Sequence, residues 1–147
     1  MAFELVEFYI QIINISYLSK MIKMSTVKSK EPILTEGINE PTIQQYFQSL
    51  NAGDYDKTAS LFTENGVMNP PFESGITGRD AILNYLNKEA VDIKAYPEIE
   101  AQSRVIENNH SQILVVGRVE TPWFAVNASW QFAIDENLQI LNVKIKF

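Results

Sequence analysis

Residues 124–134 alternate without a break: Phe124, Val126, Ala128, Trp130, Phe132 and Ile134 on one side, Ala125, Asn127, Ser129, Gln131 and Ala133 on the other. A period of two sustained over eleven residues belongs to a β-strand with one face on a core, because a helix would scatter the same side chains around its girth. The turn Asp135-Glu136-Asn137 follows. The next strand sets Leu141, Val143, Ile145 and Phe147 against Asn142, Lys144 and Lys146. Upstream, residues 102–107 and 113–121 read as two more strands joined by a polar hairpin turn at Asn108-Asn109-His110, with Gly117 as a bulge. His110, in that turn, is read as solvated.

Before Pro97 the period is about 3.6. Glu40-Pro41-Thr42 opens a helix, with proline at a first-turn position where its missing N–H does no harm. Ile43, Tyr46, Phe47 and Leu50 then form one apolar face. Asn51-Ala52-Gly53 breaks this helix, and Asp54 caps a second short one running through Tyr55, Ala59 and Phe62. Glu64-Asn65-Gly66 reads as a turn, followed by a short extended piece, Val67-Met68-Asn69, which Pro70-Pro71 stops. Thr77-Gly78-Arg79-Asp80 leads into a third helix with Ala81, Ile82, Tyr85 and Leu86 apolar. Helices first and long antiparallel strands afterwards predict an α+β fold: a cone of three helices on a strongly curved antiparallel sheet, enclosing a pocket.

The chemistry open to that pocket is narrow. The 147 residues contain no cysteine and one histidine, His110, which excludes thiolate nucleophiles, cysteine-ligated zinc, a His-based triad and a multi-His metal site within the chain. Twelve Lys plus Arg against eighteen Asp plus Glu, with no dense basic block, argue against nucleic acid as a partner. Carboxylate or tyrosine chemistry remains, or a binding pocket without chemistry.

Residues 1–35 read as an N-terminal extension and residues 36–147 as the folded domain. The uncharged run 8–19 is shorter than a membrane span and is broken by Gln11, Asn14 and Ser16. Glu4 and Glu7 precede it, the reverse of a signal peptide's charge order, so a cytoplasmic protein is expected. Three readings of the extension stay open: an arm that packs on a partner, an anchor making transient membrane contact through Lys20, Lys23, Lys28 and Lys30, or an upstream stretch before a true start at Met24.

The segment from Tyr46 to Asp54, the Leu61-Phe62-Thr63-Glu64-Asn65-Gly66 run, Pro71-Phe72 and Thr77-Gly78-Arg79 resemble the nuclear transport factor two-like (cystatin-like) fold. Narrower matches lie in Met68-Asn69-Pro70-Pro71-Phe72, in the stretch from Gly117 through Thr121-Pro122-Trp123-Phe124, in Ala128-Ser129-Trp130-Gln131-Phe132, and in residues 36–41. Together they resemble the C-terminal domain of the cyanobacterial orange carotenoid protein and its stand-alone homologues, over residues 36–147. The resemblance implies a non-catalytic protein that binds a ketocarotenoid of the canthaxanthin or echinenone type. In that family a helix tyrosine and a strand tryptophan hydrogen-bond the ring carbonyl, and Tyr46 and Trp130 stand at the matching positions. Leu50, Pro122 and Trp123 match positions lining the polyene tunnel. Storage, delivery and photoprotective quenching are the implied roles, with a homodimer and a helical carotenoid protein as partners. Two departures stand out: Lys88-Glu89-Ala90 carries no cysteine where some homologues do, and the family's C-terminal helix does not follow Phe147.

Aromatic residues on inner faces are also ordinary core residues, so position alone favours packing for Tyr46 and Trp130. Two rival readings remain. One is an isomerase or dehydratase of the same fold, which needs a general base beside an oxyanion donor such as Tyr46. The family's aspartate position is Pro70 here, no carboxylate occurs over residues 67–72, and Glu73 reads as just outside the pocket-facing stretch. The other rival is a pure dimerisation module that pairs through its sheet.

Overall fold

The computed structural model describes residues 38–106 and 109–147. The extension over residues 1–35, the start at Met24 and the hairpin residue Asn108 lie outside the described residues. Chain order is α1 (Pro41–Ala52), α2 (Tyr55–Ser60), β1 (Phe62–Asn69), β2 (Ile76–Thr77), α3 (Arg79–Glu89), β3 (Lys94–Ile106), β4 (His110–Glu120), β5 (Ala125–Ile134) and β6 (Ile140–Lys146).

The first helix begins and ends as its residue types dictate. Glu40 caps α1 by accepting from the Thr42 N–H at 2.7 Å, and Gly53, at φ 78, turns the chain left-handed and donates back to the Leu50 and Ser49 carbonyls. Asp54 caps α2 through the Lys57 N–H at 3.2 Å. Helix α3 is tied to the sheet by Arg79, whose Nε donates to the Phe62 carbonyl at 2.9 Å. Its buried residues are Ile82 and Leu86, while Ala81 faces solvent.

The six strands form one sheet in the order β2-β1-β6-β5-β4-β3. The nuclear transport factor two-like architecture of three helices on a sheet is as expected, with one difference. Strand β1 runs parallel to β6, so the sheet is mixed rather than wholly antiparallel. Phe62 accordingly begins β1 instead of ending α2, and Glu64-Asn65-Gly66 lies inside the strand at a register irregularity instead of forming a turn. Gly66 allows this: a Cβ there would stand 2.9 Å from both the Ile140 carbonyl oxygen and the Phe62 Cβ.

Strand β3 begins before Pro97, and its irregularities fall at Pro97/Ile99 and Glu100/Gln102. Gly117 therefore faces a bulge on β3; a Cβ on it would come within 2.2 Å of the Tyr96 carbonyl oxygen. His110 opens β4 and is half-buried. In β5 the expected alternation holds: Val126, Ala128, Trp130, Phe132 and Ile134 are all buried. In β6 it slips. Between Ala133↔Asn142 and Ile134↔Ile140 the register shifts, so Leu141 is the extra residue and Ile140 takes the core position. Bulges bend strands, and these lie on three of the ladders that wrap the helices.

Candidate functional site

The wide end of this arrangement encloses a cavity of about 90 Å³, several times the roughly 10–15 Å³ that one water needs. Three of the five residues singled out from the sequence line it: Tyr46, Leu50 and Trp130. Tyr46 and Leu50 are one turn apart on α1. Trp130 sits mid-sheet, opposite Val115 on β4 and Ile145 on β6.

Both aromatic residues are held by other rings. Phe47 packs edge-on against Tyr46 at 5.1 Å and against Trp130 at 4.9 Å, and Phe132 meets Tyr46 edge-on at 5.1 Å. Such contacts fix ring orientation, and each is worth about 0.5–1.5 kcal/mol beyond the area buried. Tyr46 is 1% and Trp130 2% exposed. Tyr46 and Trp130 border the same cavity, and each carries one neutral side-chain donor, a hydroxyl and an indole N–H.

Burial pushes the Tyr46 phenol far above its ordinary value, because the phenolate would lose its hydration without gaining a counter-charge. The hydroxyl is thus held as a donor. The raised value has a consequence for stability. Below about pH 10 the phenol is neutral in both states; above it the unfolded chain ionises and the folded one does not. Tyr46 is expected to cost the fold about 1.4 kcal/mol per pH unit from there until its own ionisation is reached. Denaturant titrations at pH 9 and pH 11 measure this, and Tyr46→Phe should remove that share of the alkaline loss.

Pro122 and Trp123 are not brought into the cavity. They lie on the loop between β4 and β5, where Thr121 Oγ1 accepts from the Trp123 and Phe124 N–H groups at 3.2 and 3.1 Å. That turn leaves the Trp123 ring 69% exposed.

The lining also holds groups that the sequence reading passed over. Glu73 is one of them, contrary to the expectation that it stands outside, and Glu89 at the end of α3 is another. Phe72 adopts φ 65, rare for a residue with a side chain, and this turns the chain so that Glu73 returns to the cavity edge. Nothing in the local sequence announces that turn. Glu89 follows Tyr85 at i+4, so the apolar period of α3 already pointed to its side of the helix. Met68, Val119 and Ile145 supply apolar wall from three strands.

Comparison with known proteins gives a consistent pattern. The model of the nuclear transport factor 2 domain matches residues 38–142. The orange carotenoid-binding protein of Limnospira maxima is 33% identical over 123 residues, 81% of this chain and 38% of that protein. The Synechocystis protein of the same description is 33% identical over 121 residues, 80% of this chain and again 38% of its own length. Among solved structures, the Anabaena (Nostoc) orange carotenoid protein binding canthaxanthin aligns with a TM-score of 0.73 and 34% identity, covering 80% of this chain and 39% of that one. This chain therefore spans well under half the length of the relatives it matches, and its likeness is to their C-terminal domain.

Proposed function

This chain belongs to the nuclear transport factor 2 family, and we propose that it binds a ketocarotenoid, with the ring carbonyl held between the Tyr46 hydroxyl and the Trp130 indole N–H. The observation carrying this reading is that two side chains with neutral donors, from distant parts of the chain and 1% and 2% exposed, border one cavity. A ring ketone offers both donors an acceptor, and an acceptor oxygen taken out of water needs partners in turn. Tyr and Trp donate while adding an apolar body and no charge. Leu50, Met68, Val119 and Ile145 give the ring apolar wall. Canthaxanthin in the Anabaena relative supports the choice of pigment class. The functions this pocket suits are storage, delivery to or from a helical carotenoid protein, and quenching of excited pigment.

Expression of the full chain in a ketocarotenoid-producing host tests the reading. The purified protein should be coloured, with absorption to the red of the free pigment. A colourless protein from a pigmented host contradicts it.

Pigment length bears on assembly. The cavity of about 90 Å³ is far too small for a whole carotenoid, so one copy covers one ring and part of the polyene. Covering the remainder is worth on the order of 25 cal/mol per Å² of apolar surface, and a second copy of the same pocket is the natural cover. A two-fold dimer then sets Tyr46 and Trp130 of each copy at opposite ends of one diketo pigment. In this arrangement Pro122 and Trp123 are apolar surface for the emerging polyene or the second copy. Sedimentation of apo and pigmented protein, with the pigment-to-protein ratio from absorbance, is expected to give one pigment per two chains. A stable pigmented monomer would refute the shared tunnel.

One observation favours the isomerase reading: Glu73 and Glu89 do border the cavity. Glu73 is exposed and Glu89 half-buried, so both stand on the solvent side, whereas Tyr46 is fully enclosed. A base must reach the proton it removes within hydrogen-bond distance while the oxyanion donor holds the same small substrate. The separation in depth favours binding over proton transfer.

A further inference from the structure

Asparagine is a weaker helix former than alanine, yet Asn51 stands in the last turn of α1, and its side chain shows why. The amide Nδ2 donates to the Ala95 carbonyl at 2.7 Å, and Oδ1 accepts from the Ala95 N–H at 2.7 Å. One side chain thus takes both backbone groups of one residue, the pair of bonds that a neighbouring strand residue would make. Ala95 lies on β3, the last strand in the sheet order, so Asn51 stands where a further strand would begin. Lys94 strengthens the junction by donating from Nζ to the Asn51 main-chain carbonyl at 2.8 Å.

We propose that Asn51 is a positioning residue of the pigment site: its amide clamp fixes the C-terminal end of α1 on β3 and thereby sets the Tyr46 hydroxyl where a ring carbonyl shared with Trp130 needs it. This rests on the pocket being the pigment site proposed above.

The clamp joins two walls of one cavity. Leu50, the residue before Asn51, lines it from α1; Ala95 and Val119, paired across β3 and β4, line it from the sheet. Toward the other end of the helix, Thr42 Oγ1 donates at 2.7 Å to the carbonyl of Leu138, between β5 and β6. Tyr46 lies between these two attachments, and Trp130 lies on β5. The helix is therefore tied to the sheet on both sides of the first donor. Phe47 and Phe132 also pack on Tyr46, but aromatic contacts tolerate centroid separations from about 4.5 to 7 Å. A hydroxyl-to-carbonyl hydrogen bond tolerates far less, about 2.5–3.0 Å between oxygens with a near-linear donor. Directional bonds along the helix supply the precision that ring packing leaves open.

Two substitutions separate the clamp from simple packing. Asn51→Ala removes both bonds. Asn51→Asp keeps the shape and, ionised at neutral pH, keeps an acceptor for the Ala95 N–H but sets a second acceptor against the Ala95 carbonyl. Each is made in the full chain and expressed in an echinenone-producing host, with folding followed by circular dichroism and the absorption maximum by visible spectroscopy. Affinity is measured by titrating apo protein with echinenone. Both variants should fold, bind echinenone about three- to tenfold more weakly, the range of one neutral hydrogen bond, and lose part of the red shift. In a Tyr46→Phe background, Asn51→Ala should move the maximum no further, because the clamp acts through the hydroxyl. A full red shift in both Asn51 variants, an equal loss with and without the Tyr46 hydroxyl, or unfolding of both variants overturns the positioning role and leaves the pigment site standing. An unaltered chain that takes up no echinenone overturns the pigment site and this role with it.

Discussion

Changing Tyr46 and Trp130 together to phenylalanine is expected to weaken ketocarotenoid binding ten- to hundredfold and to erase the red shift, without unfolding the protein. Both substitutions keep an aromatic body and remove one donor each. The pigment carbonyl then lies buried without a partner, which costs about 1–3 kcal/mol. The apo protein loses less: Trp130→Phe takes ring area out of the core beside Phe47, a cost of about 1–2 kcal/mol. That modest loss beside an erased red shift separates a ligand role from a packing role. If both residues served packing alone, pigment yield and colour would survive the double change.

Phe47→Ala is expected to have the opposite profile, a loss of about 3–5 kcal/mol of stability. Phe47 is fully buried and touches Tyr46, Trp130 and Phe132 ring to ring. Its removal leaves a cavity directly behind both proposed donors, so pigment affinity should fall with stability. Denaturant midpoints of apo protein measure the first effect and pigment titration the second. A loss under about 1 kcal/mol would mean that the aromatic cluster is not what holds the donors in place.

How much of this was legible depended on whether the cause was local. The alternation of β5 transfers directly into burial because one face lies on the core from Val126 to Ile134. Capping of α1 by Glu40 and Gly53 was equally visible, since caps are made by residues a few positions apart. Strand β1 was misread because Glu64, Asn65 and Gly66 have turn chemistry, while their conformation is set by parallel pairing with β6, far along the chain. The slip at Leu141 has the same origin: a register shift against β5 leaves no trace in β6's own alternation.

The site divides along the same line. Tyr46, Leu50 and Trp130 follow from helix and strand periods, so their inward aim was readable. Glu73 was not, because it depends on the positive φ of Phe72. Pro122 and Trp123 match family positions for the tunnel, yet the Thr121 turn sets them outside the cavity of a single chain. In the proposed account they act only where the polyene leaves this copy.

The carbonyl stretch of bound echinenone tests the central claim most directly, because that pigment has one keto group and the stretch reports its hydrogen bonds. In the infrared difference spectrum between pigmented and apo protein, the band should lie below its position in apolar solvent and return toward it in the Tyr46→Phe, Trp130→Phe protein. A band already at the apolar-solvent position in the unaltered protein, or a lowered band that the double change leaves in place, would contradict the assignment of Tyr46 and Trp130 as the carbonyl's donors.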